Sequence, residues 1–316
     1  MSPAIRKFRF ARVIALAVAG IAAVAVLALI LAVRIGFNTE GAAMGALQKT
    51  AISRDGTVIA YEQSGSGPLV ILVSAALADR SGSRRLARAL ADHFTVINYD
   101  RRGRGGSGDT QPYTIEREVE DVAALVDANG GSACLFGSSS GAVLALDIAA
   151  RLGPKIKKLY LYEPPFIVDS SRPAMAPTLA SEIRQQFATG DRNNAVKLFF
   201  SKGMGIPSFA VTLMRFLMPG WSSMCGMAQT IPYDLAILKG TQDGQPLPEN
   251  RWNSVTAPIE VAVGGRSEPF FHNGAKALAR MIPGSRYESI AGLHHGALLM
   301  APAVLGKDVQ AFFVQA

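Results

Sequence analysis

Cysteine is scarce in this 316-residue chain: Cys134 and Cys225 are the only two, and they lie far apart. With no CxxC pair and no Cys/His cluster, neither a disulfide framework nor a structural zinc site is expected. Cys134 stands in an apolar run beside Leu135 and Phe136, the setting of a buried small side chain. Histidine is sparse too: His93, His272, His294 and His295 are all there are. Charged residues make up 18% against 49% apolar, which excludes a disordered chain and predicts a real core. The net charge of +8 comes without a basic face. Arg6, Lys7, Arg9 and Arg12 precede an apolar run, Arg101, Arg102 and Arg104 share one glycine-rich loop, and the rest are scattered. Nucleic-acid binding is therefore not expected. There is no internal repeat and no low-complexity segment.

Charge and proline are both absent from residues 13–33. At ~1.5 Å per residue this stretch is long enough to cross a hydrocarbon core of ~30 Å. Four basic residues precede it and only Arg34 follows closely, an imbalance that predicts a cytoplasmic N-terminus. The expectation is a signal anchor that contacts the membrane through residues 13–33 and leaves the body outside the cytoplasm. The alternative is export after cleavage, with small residues at 42–46 as the cut region. The chain then divides into a basic stub and anchor helix (1–35), a linker rich in Gly and Ala (36–49) and a folded domain (50–316).

Within the domain, strand and helix patterns alternate. Strands are predicted at 58–63, 69–73, 94–99, 133–137, 159–162, 259–263 and 286–290. Helices are predicted at 84–91, 115–128, 141–152, 271–281 and 303–313. The run Leu69, Val70, Ile71, Leu72, Val73 is apolar throughout, as in a strand buried on both faces. Val119, Val122, Ala123 and Val126 form one face of a helix. Such alternation predicts an α/β fold with a mostly parallel, doubly wound sheet. Ligands of such sheets sit at the carboxyl ends of the strands, so chemistry is sought there.

One strand end stands out. Gly137-Ser138-Ser139-Ser140-Gly141 follows an apolar strand and opens a helix, the context that gives G-x-S-x-G its meaning. The turn is so tight that a side chain two residues either side of the central serine would clash, and both places hold glycine. Ser139 is thereby predicted to be a nucleophile with its oxygen lifted above the sheet, at the N-terminus of a helix that favours negative charge. The backbone N–H of Ser140 becomes the first oxyanion donor. A plain glycine-rich turn with helix-capping serines is the competing reading.

Four features in order resemble the α/β-hydrolase superfamily. They are Gly67-Pro68 before the strand at 69–73, the loop Asp100-Arg101-Arg102-Gly103-Arg104-Gly105-Gly106-Ser107, the serine turn, and Gly292-Leu293-His294-His295. The resemblance covers residues 50–316. It implies a base after the last strand, where glycine, two residues and histidine are usual; this points to His295, with His294 as neighbour or rival. It implies an acid between serine and histidine in chain order. The commonest place offers Glu268, counted from Gly265, while Ser267 cannot serve. The branch typified by haloalkane dehalogenases carries its acid one strand earlier, which offers Glu163. Asp234 is the remaining choice. The second oxyanion donor comes from the loop after the strand at 69–73, where many relatives have His-Gly and this chain has Ser74-Ala75-Ala76-Leu77; Ala76 is chosen by position.

The segment at about 164–257 is far too long for an ordinary connection and resembles a helical cap over the site. Helices are predicted there at 180–188, 195–200 and 208–217. Met204, Met214, Phe216, Leu217, Met218, Trp221, Met224 and Met227 predict an apolar lining or, equally, a cap core. The resemblance implies a serine hydrolase, cleaving an ester, thioester or amide of a small to medium apolar substrate, with no cofactor and no metal. C–C hydrolase, acyltransferase or perhydrolase chemistry would use the same parts. The reading from another class is a non-catalytic, membrane-tethered binding protein.

Overall fold

The alternation of apolar strand runs with amphipathic helices builds one eight-stranded sheet. The computed structural model describes residues 46–218 and 220–315. In chain order the strands are β1 (Leu47–Ile52), β2 (Val58–Ser64), β3 (Leu69–Val73), β4 (Thr95–Tyr99), β5 (Ala133–Ser138), β6 (Ile156–Tyr162), β7 (Ile259–Gly264) and β8 (Ser285–Ile290). Their order across the sheet is β1-β2-β4-β3-β5-β6-β7-β8. The first two pairings, β1 with β2 and β2 with β4, are antiparallel. All later pairings are parallel.

Helices α1 (Arg84–Leu90), α2 (Ile115–Ala128), α3 (Ser140–Leu152), α9 (Pro269–Met281), α10 (Ala297–Met300) and α11 (Pro302–Val314) make the crossovers and the C-terminal end. Because successive strand side chains point to opposite faces, β3 divides its run. Leu69, Ile71 and Val73 join the core under α2, α3 and α9. Val70 and Leu72 join the core under α1 and α11. Every residue of β3 and β5 is buried, as sheets covered on both faces require.

β1 was not expected. Residues 47–49, read as linker, are its first half. Of its six residues only Ala51 is buried. An exposed edge strand held by backbone pairing has no apolar period to show.

The insertion between β6 and β7 carries α4 (Leu179–Ala188), α5 (Arg192–Leu198), α6 (Ser208–Leu217), α7 (Trp221–Gly226) and α8 (Ile231–Ile237). These helices share their own apolar cluster. Trp221, Met224 and Met227 are buried in it, with Met204, Met214 and Met218 at its margin. Leu77 and Ala76, from the loop after β3, belong to the same cluster and join it to the sheet's carboxyl edge. Phe216 departs from the expected lining: with Phe209 and Leu213 it faces solvent from α6.

The expected fold class needs one correction. Among the described residues no helix is long and apolar enough to cross a membrane. The longest, α2, has 14 residues, short of the ~20 a span needs, and only one of its faces is apolar. The described fold is thus the α/β sheet with its helical insertion and no membrane-spanning helix. Residues 13–33, on which that helix and the membrane contact were read, lie outside the described residues.

Candidate active site

The turn after β5 is built as its glycines require. A Cβ on Gly137 would lie 2.6 Å from the Gly141 carbonyl oxygen, and one on Gly141 would lie 2.4 Å from the Val73 carbonyl oxygen. Backbone atoms cannot give way, so only glycine fits either place. Between them Ser139 adopts φ 53°, ψ −125°, a conformation costly for a residue with a side chain. Among the described residues only three non-glycine residues have positive φ: Leu77, Ser139 and Glu163. They follow the carboxyl ends of β3, β5 and β6, where the strands deliver their groups to a common edge.

Parallel pairing sets Ser139 beside Glu163. Ser138 is in register with Tyr162, and the Ser139 N–H donates to the Tyr162 carbonyl at 2.9 Å. The Glu163 N–H donates in turn to the Ala262 carbonyl of β7 at 2.9 Å. The Glu163 side chain is fully buried, so each oxygen needs partners. Oε1 accepts the Gly264 N–H at 2.7 Å and the Ser267 hydroxyl. Oε2 lies 2.7 Å from Nδ1 of His295. That pairing assigns the Nδ1–H tautomer and leaves Nε2 with a free lone pair. The His295 ring also stacks on Phe271, with centroids 4.6 Å apart.

The rival residues lie elsewhere. Glu268 precedes α9 with its side chain 67% exposed, and its carboxylate pairs with Arg172 at 3.4 Å. His294 is exposed, and its Nδ1 accepts the Gly296 N–H at 3.0 Å. The His294 carbonyl accepts the Tyr162 hydroxyl at 2.8 Å. Burial and then the negative charge of Glu163 push that phenol well above its ordinary range. Asp234 is fully buried but pairs with arginines and Ser140, not with histidine.

Sequence reasoning passed over Ser267. It was set aside as unable to act as the acid, yet it stands where the common acid would and props Glu163 instead. A hydroxyl one residue before Glu268 carries no signal of that role. The loop arginines were read as one basic cluster; all three are buried and paired. Arg101 binds Glu118 at 2.6 Å and Asp234 at 2.8 Å, Arg102 binds Asp121 at 2.7 Å, and Arg104 binds Asp234 at 2.6 Å. Burial favours the protonated Asp234 carboxyl, but Arg104 and Arg101 outweigh it and hold its pKa below the usual value.

The loop that carries His295 rests directly on the end of β7. A Cβ on Gly264 would lie 2.5 Å from the His294 nitrogen and from the Leu293 carbonyl group. Gly264→Ala is therefore expected to cost ~1–3 kcal/mol, as overpacking of a tight core contact does. Thermal denaturation checks this, and an unchanged melting temperature would count against the close approach.

This serine turn, with its helix and the carboxylate–imidazole pair on a mostly parallel sheet, defines the class. The pattern described as the alpha/beta hydrolase family matches residues 70–306, and the chain belongs to that family. A crystal structure of an alpha/beta hydrolase from Sphaerobacter thermophilus is 44% identical, covers 84% of this chain and 100% of its own, and superposes with a TM-score of 0.78. An uncharacterized hydrolase, YraK, of Bacillus subtilis is 34% identical over 113 residues, 34% of this chain and 42% of that protein. Lipase LipV of Mycobacterium tuberculosis is 32% identical over 111 residues, 34% of this chain and 41% of that protein. The chain thus spans about two fifths of the curated relatives it matches.

Proposed function

We propose that the protein is a serine hydrolase that cleaves carboxylic esters of small to medium apolar acids through an acyl-enzyme. The observation that carries this reading is the 2.7 Å pairing of His295 Nδ1 with Glu163 beside the strained Ser139. Ser139 Oγ attacks the ester carbonyl, and Nε2 of His295 takes its proton. Glu163 stabilises the imidazolium so formed. The N–H groups of Ser140 and Ala76 receive the oxyanion, with the helix behind Ser140 adding its dipole. His295 then gives its proton to the leaving alcohol. Water, deprotonated by the same imidazole, releases the acid and frees the serine.

The cap favours an apolar substrate. Its cluster runs from Met224 and Met227 to Leu77 and Ala76, the loop that would receive the oxyanion. Flexible methionines at the margin suit chains of varied shape. The lipase name of one relative agrees with this reading.

The test is a series of p-nitrophenyl esters of rising acyl length. Each buried CH2 is worth ~0.8 kcal/mol, so kcat/KM should rise about fourfold per methylene until the site is full. A flat or falling series would refute an apolar acyl site.

A further inference from the structure

We infer that Asp234, supplied by the cap, is the positioning residue that holds together the two backbone segments of the oxyanion hole. This rests on the serine-hydrolase reading above. An oxyanion hole works only if its donors are fixed before charge develops. Here the two donors come from separate segments, residues 74–78 after β3 and residue 140 after the nucleophile; the pairing of β3 with β5 ends at Val73 and Gly137, so it does not itself join the donor residues.

One carboxylate does. Oδ1 of Asp234 accepts the Ser140 hydroxyl at 2.8 Å and Nη1 of Arg101 at 2.8 Å; Oδ2 accepts Nη2 of Arg104 at 2.6 Å. The two guanidiniums then hold the other segment by its carbonyls. Arg101 donates to Ser74 at 3.2 Å, and Arg104 donates to Ala75 at 2.6 Å and Ala78 at 3.3 Å. Leu77, inside that segment, keeps its left-handed backbone at φ 55°, which only outside support sustains. Asp234, Arg101 and Arg104 are all essentially buried. A lone negative charge here would oppose the oxyanion, but two arginines balance Asp234 and Glu118. The carboxylate can therefore position the donors without repelling the charge they bind. Because Asp234 lies on α8, the hole is set only when the cap is seated.

The experiment uses the full chain and p-nitrophenyl butyrate, with active sites counted by a fluorophosphonate probe so that kcat is expressed per competent site. Asp234→Asn is expected to lower kcat on the order of 10²-fold, the cost of a misplaced oxyanion donor, with KM within about threefold. Ser140→Ala cuts only the hydroxyl link and leaves the ion pairs. It should lower kcat about tenfold with an unchanged melting temperature. The double variant should be no worse than Asp234→Asn, because both changes cut one link. If kcat per competent site stays within about threefold of wild type in both single variants, Asp234 is merely structural and the inference fails. If Asp234→Asn does not fold, Ser140→Ala decides alone: an unchanged kcat overturns the inference and the tenfold drop supports it. A wild-type chain that never labels, or a Ser139→Ala chain that labels equally, overturns the hydrolase reading and this inference with it. Labelled wild type with unaffected variants sinks the inference only.

Discussion

Ser139→Ala is expected to abolish fluorophosphonate labelling and to lower ester kcat by about 10⁶-fold, the scale on which loss of the nucleophile alone removes the work of a whole triad. The residual rate would come from substrate binding and the oxyanion donors. The fold should be little affected. Alanine keeps the Cβ of serine, and no hydrogen bond of the Ser139 backbone depends on its side chain. Ser139→Gly should lose the same activity but gain about 1 kcal/mol of stability. A side chain at φ 53° is strained and glycine is not, although glycine gives back part of the gain as extra unfolded-state entropy. A decisive result is labelling that survives in Ser139→Ala with normal stoichiometry; the nucleophile would then lie elsewhere.

Glu163→Gln is expected to lower kcat by about 10⁴-fold, while Glu268→Gln leaves it within about twofold. The amide at 163 cannot turn freely. Its oxygen must stay toward the Gly264 N–H and the Ser267 hydroxyl, because its NH2 group there would face two donors. The NH2 group is then left against Nδ1 of His295 and donates to it. The imidazole must carry its hydrogen on Nε2, where it cannot accept a proton from serine. The Glu268 side chain is exposed and its carboxylate pairs with Arg172, so its change should also leave stability within ~0.5 kcal/mol. Both variants are compared by steady-state turnover of one ester at one pH. A large loss in Glu268→Gln with none in Glu163→Gln would reverse the acid assignment.

These two expectations drew differently on the amino-acid order. The nucleophile turn is a local object: strand, glycine, serine, glycine and helix occupy adjacent positions, and steric need at Gly137 and Gly141 writes itself into the chain. The sheet was legible for the same reason. Runs such as 69–73 and 133–136 are apolar because both faces are covered, and α2 shows its buried face at helical spacing. β1 was missed because an exposed edge strand owes its place to backbone pairing, which leaves no side-chain period.

Partners that meet across the sheet left no such trace. Glu163 and Glu268 stood as rival acids along the chain, and pairing of β5, β6 and β7 separated them by burying one and leaving the other exposed. Ser267 and Asp234 gained their partners from residues 94 to 133 positions away in the chain. The cause is the range of the forces involved. Steric limits and apolar periodicity act over a few residues, so they can be read along the chain. A buried carboxylate takes whichever donors the closed fold brings within hydrogen-bonding distance, and that is decided when the layers pack.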